Sequence, residues 1–80
     1  MLKLGRKKIV YTSVVCDLIH IGHIFLFKKA KALGNKLIVG VITDEGVKKY
    51  KREPIIPFEQ RIEIVSSIKY VDMVVKQNDI

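Results

Sequence analysis

Apolar positions along this chain alternate between short continuous runs and helical stripes. Residues 8–15 are rich in β-branched side chains and residues 36–42 are almost continuously apolar, so both runs predict buried strands. Apolar positions three and four residues apart predict helices over residues 21–33 and 58–69. A third strand is predicted over residues 71–75. This order and spacing predict parallel strands joined by right-handed crossovers.

The predicted order is that of a Rossmann-like α/β fold, β-α-β-α-β. We expect a three-layer parallel sheet whose central strand is covered on both faces. In such sheets ligands bind beyond the carboxyl ends of the strands. The corner from Asp17 to His23 follows the first strand, and a basic segment over residues 48–53 follows the second. We therefore expect the corner and the basic segment to converge at one edge of the sheet.

Composition limits the classes of protein to which the chain can belong. Eighty residues make one small domain, which we expect to span residues 1–80 with residues 1–7 as a basic lead-in. A hydrophobic fraction of 49% is too high for a disordered chain. The net charge of +7 indicates a polyanionic partner such as a nucleotide, a nucleic acid or a membrane surface. No apolar run has the length of a membrane span, and the sequence lacks a basic recognition helix with interleaved aromatic residues. The single Cys16 fits a reducing, cytoplasmic location.

Two histidines, His20 and His23, stand at the start of the first predicted helix with Gly22 between them. Backbone N–H groups at a helix N-terminus attract anions, and two imidazole donors beside them suit a phosphate. In a structural alternative His20 caps the helix and a backbone carbonyl satisfies a buried His23. A metal pair is a third interpretation, although zinc needs further ligands. Asp17 is also a candidate cap for this helix.

The order of these segments resembles the nucleotidyltransferase superfamily, in its cytidylyltransferase-like branch. Residues 17–23 resemble the H-x-G-H signature of that branch, within a strand-loop-helix unit over residues 9–34. Residues 37–45 resemble its second strand and turn, residues 50–61 its basic loop and third helix, and residues 70–75 its third strand. The resemblance covers the N-terminal half to two-thirds of the family domain. The chain is therefore expected to be truncated relative to that domain, without its C-terminal strands.

That resemblance implies transfer of CMP from CTP to a phosphate or phosphonate acceptor, with Mg²⁺ present and pyrophosphate leaving. Members of the family form no covalent enzyme intermediate, so catalysis needs positioning and charge stabilisation. The implied catalytic residues are His20, His23, Lys51 and Arg52. The implied nucleotide-binding residues are Ser13, Val14, Val15, Asp17, Gly22, Lys48, Lys49 and Arg61. The resemblance implies no protein ligand to a metal, and it implies a homodimer.

Several alternatives stay open at this level. The basic cluster after the second strand is also typical of a solvated charge run. Arg61 is also suited to an ion pair, either with a residue one helical turn earlier or at an interface. Val14 stands where many members of the family have glycine, which favours the branch that activates phosphonates. The truncated chain could instead bind a nucleotide or another anion without turnover and need another chain or segment to complete its pocket.

Overall fold

A computed structural model describes residues 8–49 and 52–79, which form a three-stranded parallel sheet with helices between the strands. The elements are β1 (Ile9–Val14), α1 (Ile21–Ala32), β2 (Lys36–Ile42), α2 (Asp44–Lys48), α3 (Phe58–Ser66) and β3 (Met73–Gln77). The strand order is β1-β2-β3. The predicted α/β class and the Rossmann-like order are confirmed. No helix in the described ranges is long and apolar enough to cross a membrane.

Both long helices cover the same face of the sheet, so the expected three-layer arrangement is wrong for the described residues. Phe27 of α1 and Val65 of α3 belong to one buried cluster with Leu37, Val39 and Val41 of β2. The reason is topological. Each right-handed crossover here moves one strand further in the same direction, and two such crossovers place their helices on the same side of a sheet.

The opposite face of the sheet has no long helix from the described residues over it. Ile9, Tyr11 and Met73 are 60%, 52% and 45% exposed on this face. The middle strand is nevertheless buried here at Gly40, because the Tyr11 hydroxyl donates to the Gln77 side chain directly across it. The predicted cover on both faces of β2 therefore comes partly from side chains of its neighbouring strands, not from a second helical layer.

Element boundaries differ from the prediction mainly near the C-terminus. α3 ends at Ser66 and not at residue 69, because the hydroxyls of Ser66 and Ser67 donate to carbonyl groups one turn earlier in the helix. The amide of Val71 donates to the carbonyl of Ile68 in the turn that follows. Pairing with β2 consequently starts two residues later than predicted. The bounds of β2 are as predicted, and those of β1 and α1 differ by one residue.

Gly34 makes room for the backbone that joins the first two strands. A Cβ atom at this position would lie 2.5 Å from the carbonyl oxygen of Lys8, which accepts two amides at the start of β2. We expect Gly34→Ala to lower the free energy of unfolding by about 1–3 kcal/mol, since backbone must move. In the control variant Gly40→Ala, the new Cβ would meet the movable ends of the Tyr11 and Gln77 side chains. Urea unfolding compares the two variants, and a larger loss in Gly40→Ala would contradict this explanation.

Candidate functional site

The carboxyl ends of the strands bring together the loop after β1 and the segment before α3. The Asp17 carboxylate accepts the backbone N–H of Ile55 at 3.1 Å and that of Ile56 at 2.8 Å. Asp17 follows β1, and the two isoleucines follow the basic segment after α2. The structure thus places the two segments side by side at one edge of the sheet, as the topology predicts.

His20 and His23 form a reciprocal cap at the N-terminus of α1. Nδ1 of His20 accepts the N–H of Gly22 at 3.0 Å, and Nδ1 of His23 accepts the N–H of His20 at 3.1 Å. The ring centroids lie 4.3 Å apart, and the ring planes are tilted by 50°. Because each Nδ1 accepts a hydrogen bond, this pattern assigns the proton of each neutral ring to Nε2. Both rings therefore keep an Nε2–H donor for a ligand.

This reciprocal cap decides between the interpretations of the histidine corner. The candidate cap Asp17 is wrong, because His20 is the N-cap of α1. His23 is half-buried, and its partner is a backbone N–H and not a carbonyl. The amides of Gly22 and His23 bond to His20 within the cap, so these two amides are not available to an anion, whereas the Nε2 atoms of the imidazoles are. Gly22 permits this arrangement, since a Cβ there would lie 2.8 Å from the His20 ring.

His23 should stay neutral to a lower pH than a free imidazole. Burial, and secondarily the positive charge that His20 can acquire, lower the pKa of His23 from 6.5. The folded state then has the lower pKa, so the stability that neutral His23 contributes is complete above pH 6.5 and is lost as the pH falls below it. We expect NMR titration of the His23 ring to give a midpoint below 6.5, and His20→Asn to raise that midpoint. A midpoint at 6.5 or above in the native chain would contradict this prediction.

Arg61 lies beneath the surface of the site. Its side chain is fully buried. Its Nε donates to the carbonyl of Ile56 at 2.9 Å, and its Nη1 to those of Val15 at 2.8 Å and Ile42 at 2.7 Å. Its Nη2 donates to Asp44 Oδ1 at 2.6 Å, so Arg61 does form an ion pair, but with a residue 17 positions earlier and not with one a helical turn away. These contacts withhold the guanidinium from a nucleotide and tie the ends of β1 and β2 to α3.

The predicted basic residues are described in part. Lys51 lies outside the described residues. Lys48, Lys49 and Arg52 are exposed, as a solvated charge run would be. Nζ of Lys49 also lies 3.3 Å from Asp79 Oδ2, so this lysine is partly engaged at the end of the chain that the structure describes. Phosphate binding by these four residues stays a prediction.

The predicted binding residues at the end of β1 differ in how far they are buried. Ser13 is exposed, Val14 is buried in the core with α1, and Val15 is half-buried with its carbonyl held by Arg61. The next residue, Cys16, has a φ of 54°, in the left-handed region that favours glycine. Burial raises the pKa of the Cys16 thiol to about 11, although the charge of Arg61 opposes the shift. Cys16 is thus a small buried residue with little thiolate at neutral pH.

The carboxylates of Asp17 and Asp44 at the site already have hydrogen-bond partners within the chain. Residues 8–49 and 52–79 contain no cluster of three or more His, Cys, Asp or Glu side chains that could hold a metal ion. Both oxygens of Asp17 accept backbone amides, and those of Asp44 accept Arg61 and the N–H of Phe58.

Two sets of side-chain contacts at the site were not predicted from the sequence. Asp44 pairs with the buried Arg61, and the amides of Ile55 and Ile56 bind Asp17. Asp44 lies two residues after β2, where an acidic residue is a candidate helix cap, but Thr43 caps α2. The two prolines that flank Ile55 and Ile56 indicated an extended segment, whose amides lack helical partners. Neither of these local patterns identifies the residue with which Asp44 or the two amides form hydrogen bonds.

Comparison with known proteins adds independent information. A family model described as cytidylyltransferase-like matches residues 15–80. The FAD synthase of Pyrococcus abyssi is 51% identical over 73 residues, which make up 89% of this chain and 49% of that protein. The ethanolamine-phosphate cytidylyltransferase of Arabidopsis thaliana is 38% identical over 71 residues, or 88% of this chain and 17% of that protein. The chain spans about half the length of the FAD synthases it matches.

A solved structure supports the fold. The lipopolysaccharide core biosynthesis protein of Thermoplasma volcanium superposes with a TM-score of 0.87 at 30% sequence identity. The match covers 91% of this chain and 60% of that one. The likeness thus extends over nearly all of the present chain and over part of a longer one.

Proposed function

We propose, since the chain belongs to the cytidylyltransferase-like family, that it provides the phosphate-binding part of a nucleotidyltransferase. The reaction would move a nucleotidyl group from a nucleoside triphosphate to an acceptor phosphate or phosphonate. The observation that carries this proposal is the pair of imidazoles of His20 and His23, whose Nδ1 atoms are engaged and whose Nε2–H donors remain for a ligand.

In the proposed reaction an acceptor oxygen attacks the α-phosphorus in line. A new P–O bond forms, the bond from the α-phosphorus to the bridging oxygen breaks, and pyrophosphate leaves with the electron pair. Negative charge builds on the phosphate oxygens during this step. The Nε2–H groups of His20 and His23 are held in place by the cap, so they can stabilise that charge without reorganisation. Lys48 and Arg52 would add positive charge, and Mg²⁺ would arrive with the nucleotide.

The candidate nucleotides and acceptors are inferred from the family and from the named activities of the matching proteins. The family resemblance and the ethanolamine-phosphate cytidylyltransferase favour CTP. The FAD synthases favour ATP, since FAD is AMP joined to FMN through a pyrophosphate bond, and their identity to this chain is higher. We therefore place ATP with FMN first. CTP with ethanolamine phosphate or 2-aminoethylphosphonate comes second.

A catalytically incomplete nucleotide-binding fragment is the second candidate. The specific observation in its favour is the sheet face on which Ile9, Tyr11 and Met73 are exposed. Together with the half-length match to the FAD synthases, this face favours a pocket that another chain or segment completes. A homodimer and a cytoplasmic location remain predictions, and light scattering after gel filtration tests the former.

One experiment separates these candidates. The 80-residue chain is incubated with Mg²⁺, ATP or CTP, and each of the three acceptors, and pyrophosphate release is measured. Calorimetry with ATP and CTP alone measures binding. Pyrophosphate together with the nucleotidylated acceptor supports the enzyme, and binding without turnover supports the fragment. Failure to bind either nucleotide would overturn both.

A further inference from the structure

We propose that Asp17 is a positioning residue, which holds the segment before α3, residues 52–57, against the histidine turn, residues 20–23, with Arg61 as a buried support. The proposal rests on the proposed function, because the relative position of the two segments affects binding only if both contact the triphosphate of a nucleotide. It assigns Asp17 no contact with the nucleotide.

The contacts around Asp17 and Arg61 close a ring. The backbone of Ile56 is held at two points, since Asp17 accepts its N–H at 2.8 Å and Arg61 donates to its carbonyl at 2.9 Å. Arg61 also donates to the carbonyl of Val15, two residues before Asp17. The loop after β1 and the segment before α3 are therefore joined at two points that are close in both sequences. Neither segment can shift without breaking hydrogen bonds of the other.

The backbone inside this ring is strained. Cys16 lies between Val15 and Asp17 and has a φ of 54°, which L-residues with a side chain rarely adopt. Such a conformation persists only when the surrounding structure over-determines it. The carbonyl before Cys16 and the carboxylate after it are both fixed by hydrogen bonds, which is the constraint required. The ring therefore sets the direction in which the chain leaves β1 toward His20.

The electrostatics of Asp17 agree with a fixed carboxylate. The N–H of Ile56, then that of Ile55, and then the charges of Arg61 and Arg52 lower the pKa of Asp17 below 3.8. Asp17 is therefore ionised at neutral pH, and the stability it contributes is lost only as the pH falls below 3.8. Arg52 is the smallest of these influences on Asp17, and it belongs to the segment that the carboxylate binds.

Asp17→Asn is the direct test. An amide has one acceptor oxygen and would turn its NH₂ group toward the second backbone N–H, so one of the two hydrogen bonds is lost. We expect the amides of Ile55 and Ile56 to exchange with deuterium faster than in the native chain. We expect the Kd for ATP and for CTP, measured by calorimetry, to rise about tenfold.

Asp72→Asn is a matched control at the opposite edge of the sheet. Asp72 accepts the N–H of Leu37 at 2.7 Å and also binds Lys31. This variant should speed exchange at Leu37 and leave nucleotide affinity and the exchange of Ile55 and Ile56 unchanged. The reciprocal pattern separates a local effect from a general loss of stability.

A double-mutant cycle with Arg52→Ala tests whether Asp17 acts through the position of Arg52. A purely structural role for Asp17 would give the same affinity loss with and without Arg52. If Asp17 acts by placing the segment before α3, which begins with Arg52, the affinity loss in Asp17→Asn should shrink when Arg52 is already absent. An equal loss in both backgrounds would overturn the proposal. So would native affinity in Asp17→Asn, or unchanged exchange at Ile55 and Ile56. If the native chain binds no nucleotide, the proposed function fails, and the exchange comparison alone decides whether Asp17 holds the segment.

Discussion

Arg61→Ala is expected to lower the free energy of unfolding by about 3–5 kcal/mol, the usual result of removing one partner from a buried charged network. The substitution deletes four hydrogen bonds at once and leaves Asp44 and three backbone carbonyls without their donor. Unpaired buried acceptors lose their hydration without replacement, and that loss exceeds the net value of any single hydrogen bond. Since small domains have stabilities of about 5–15 kcal/mol, a loss of this size removes a large fraction of the total.

Urea unfolding followed by circular dichroism measures this effect. Arg61→Lys is the informative companion, because one ammonium group keeps the charge but cannot reach acceptors spread around a planar guanidinium. It should lose part of the stability and remain measurable if the alanine variant does not fold. Arg52→Ala, at an exposed position, should change stability by less than about 0.5 kcal/mol. Equal stabilities for the Arg61 and Arg52 variants would show that the buried network contributes little.

The Arg61 network also marks a limit of sequence-based prediction. Periodicity identified the strands and both long helices, because burial of apolar stripes is a local signal that survives without knowledge of the fold. The parallel topology then placed the loop after β1 near the segment before α3. The choice of Arg61 as the connector is not local, since its acceptors are Val15, Ile42, Asp44 and Ile56. Its position in the sequence is compatible with a surface ligand and with a buried support.

The layer arrangement shows the same limit at a larger scale. The apolar run of β2 predicted cover on both faces, and an open α/β sheet commonly provides it with helices on both sides. The side on which each helix lies depends on strand order, which the hydrophobic pattern of a single strand does not contain. Here the order β1-β2-β3 placed both long helices together. Tyr11 and Gln77 closed the other side of β2 at Gly40, through a contact that spans three strands.

The residues of the histidine corner were predicted, and capping by His20 was one of the alternatives, but the reciprocal contribution of His23 to the cap was not predicted. Sequence spacing alone allowed an anion site at the helix N-terminus, a helix cap or a metal pair. The structure shows that the cap uses the Nδ1 atoms and leaves Nε2 for a ligand. Gly22 was the available clue, since a side chain there would meet the His20 ring. The two roles are therefore carried by different atoms of the same imidazoles.

That division of roles makes His20→Asn and His23→Gln the sharpest tests of the site. Asparagine is among the best N-cap residues, and glutamine at the third helical position can reach back to the N-cap amide. Both variants should therefore unfold at nearly the native urea concentration, although they lose the imidazole Nε2–H. His20→Ala, by comparison, should lose about 1 kcal/mol of stability together with the donor.

Nucleotide binding and turnover should fall in both cap-preserving variants. A hydrogen bond to a charged group contributes about 1.5–3 kcal/mol, so we expect calorimetry to show a Kd for ATP or CTP weaker by about 10–100-fold in each. Where pyrophosphate release is measurable, the rate should fall about 10²–10³-fold, because a donor aimed at developing charge acts more strongly in the transition state. Native affinity in either variant, with native stability, would restrict that histidine to capping the helix. A loss confined to variants that also lose stability would point to the same conclusion, since the cap and not the donor would then govern binding.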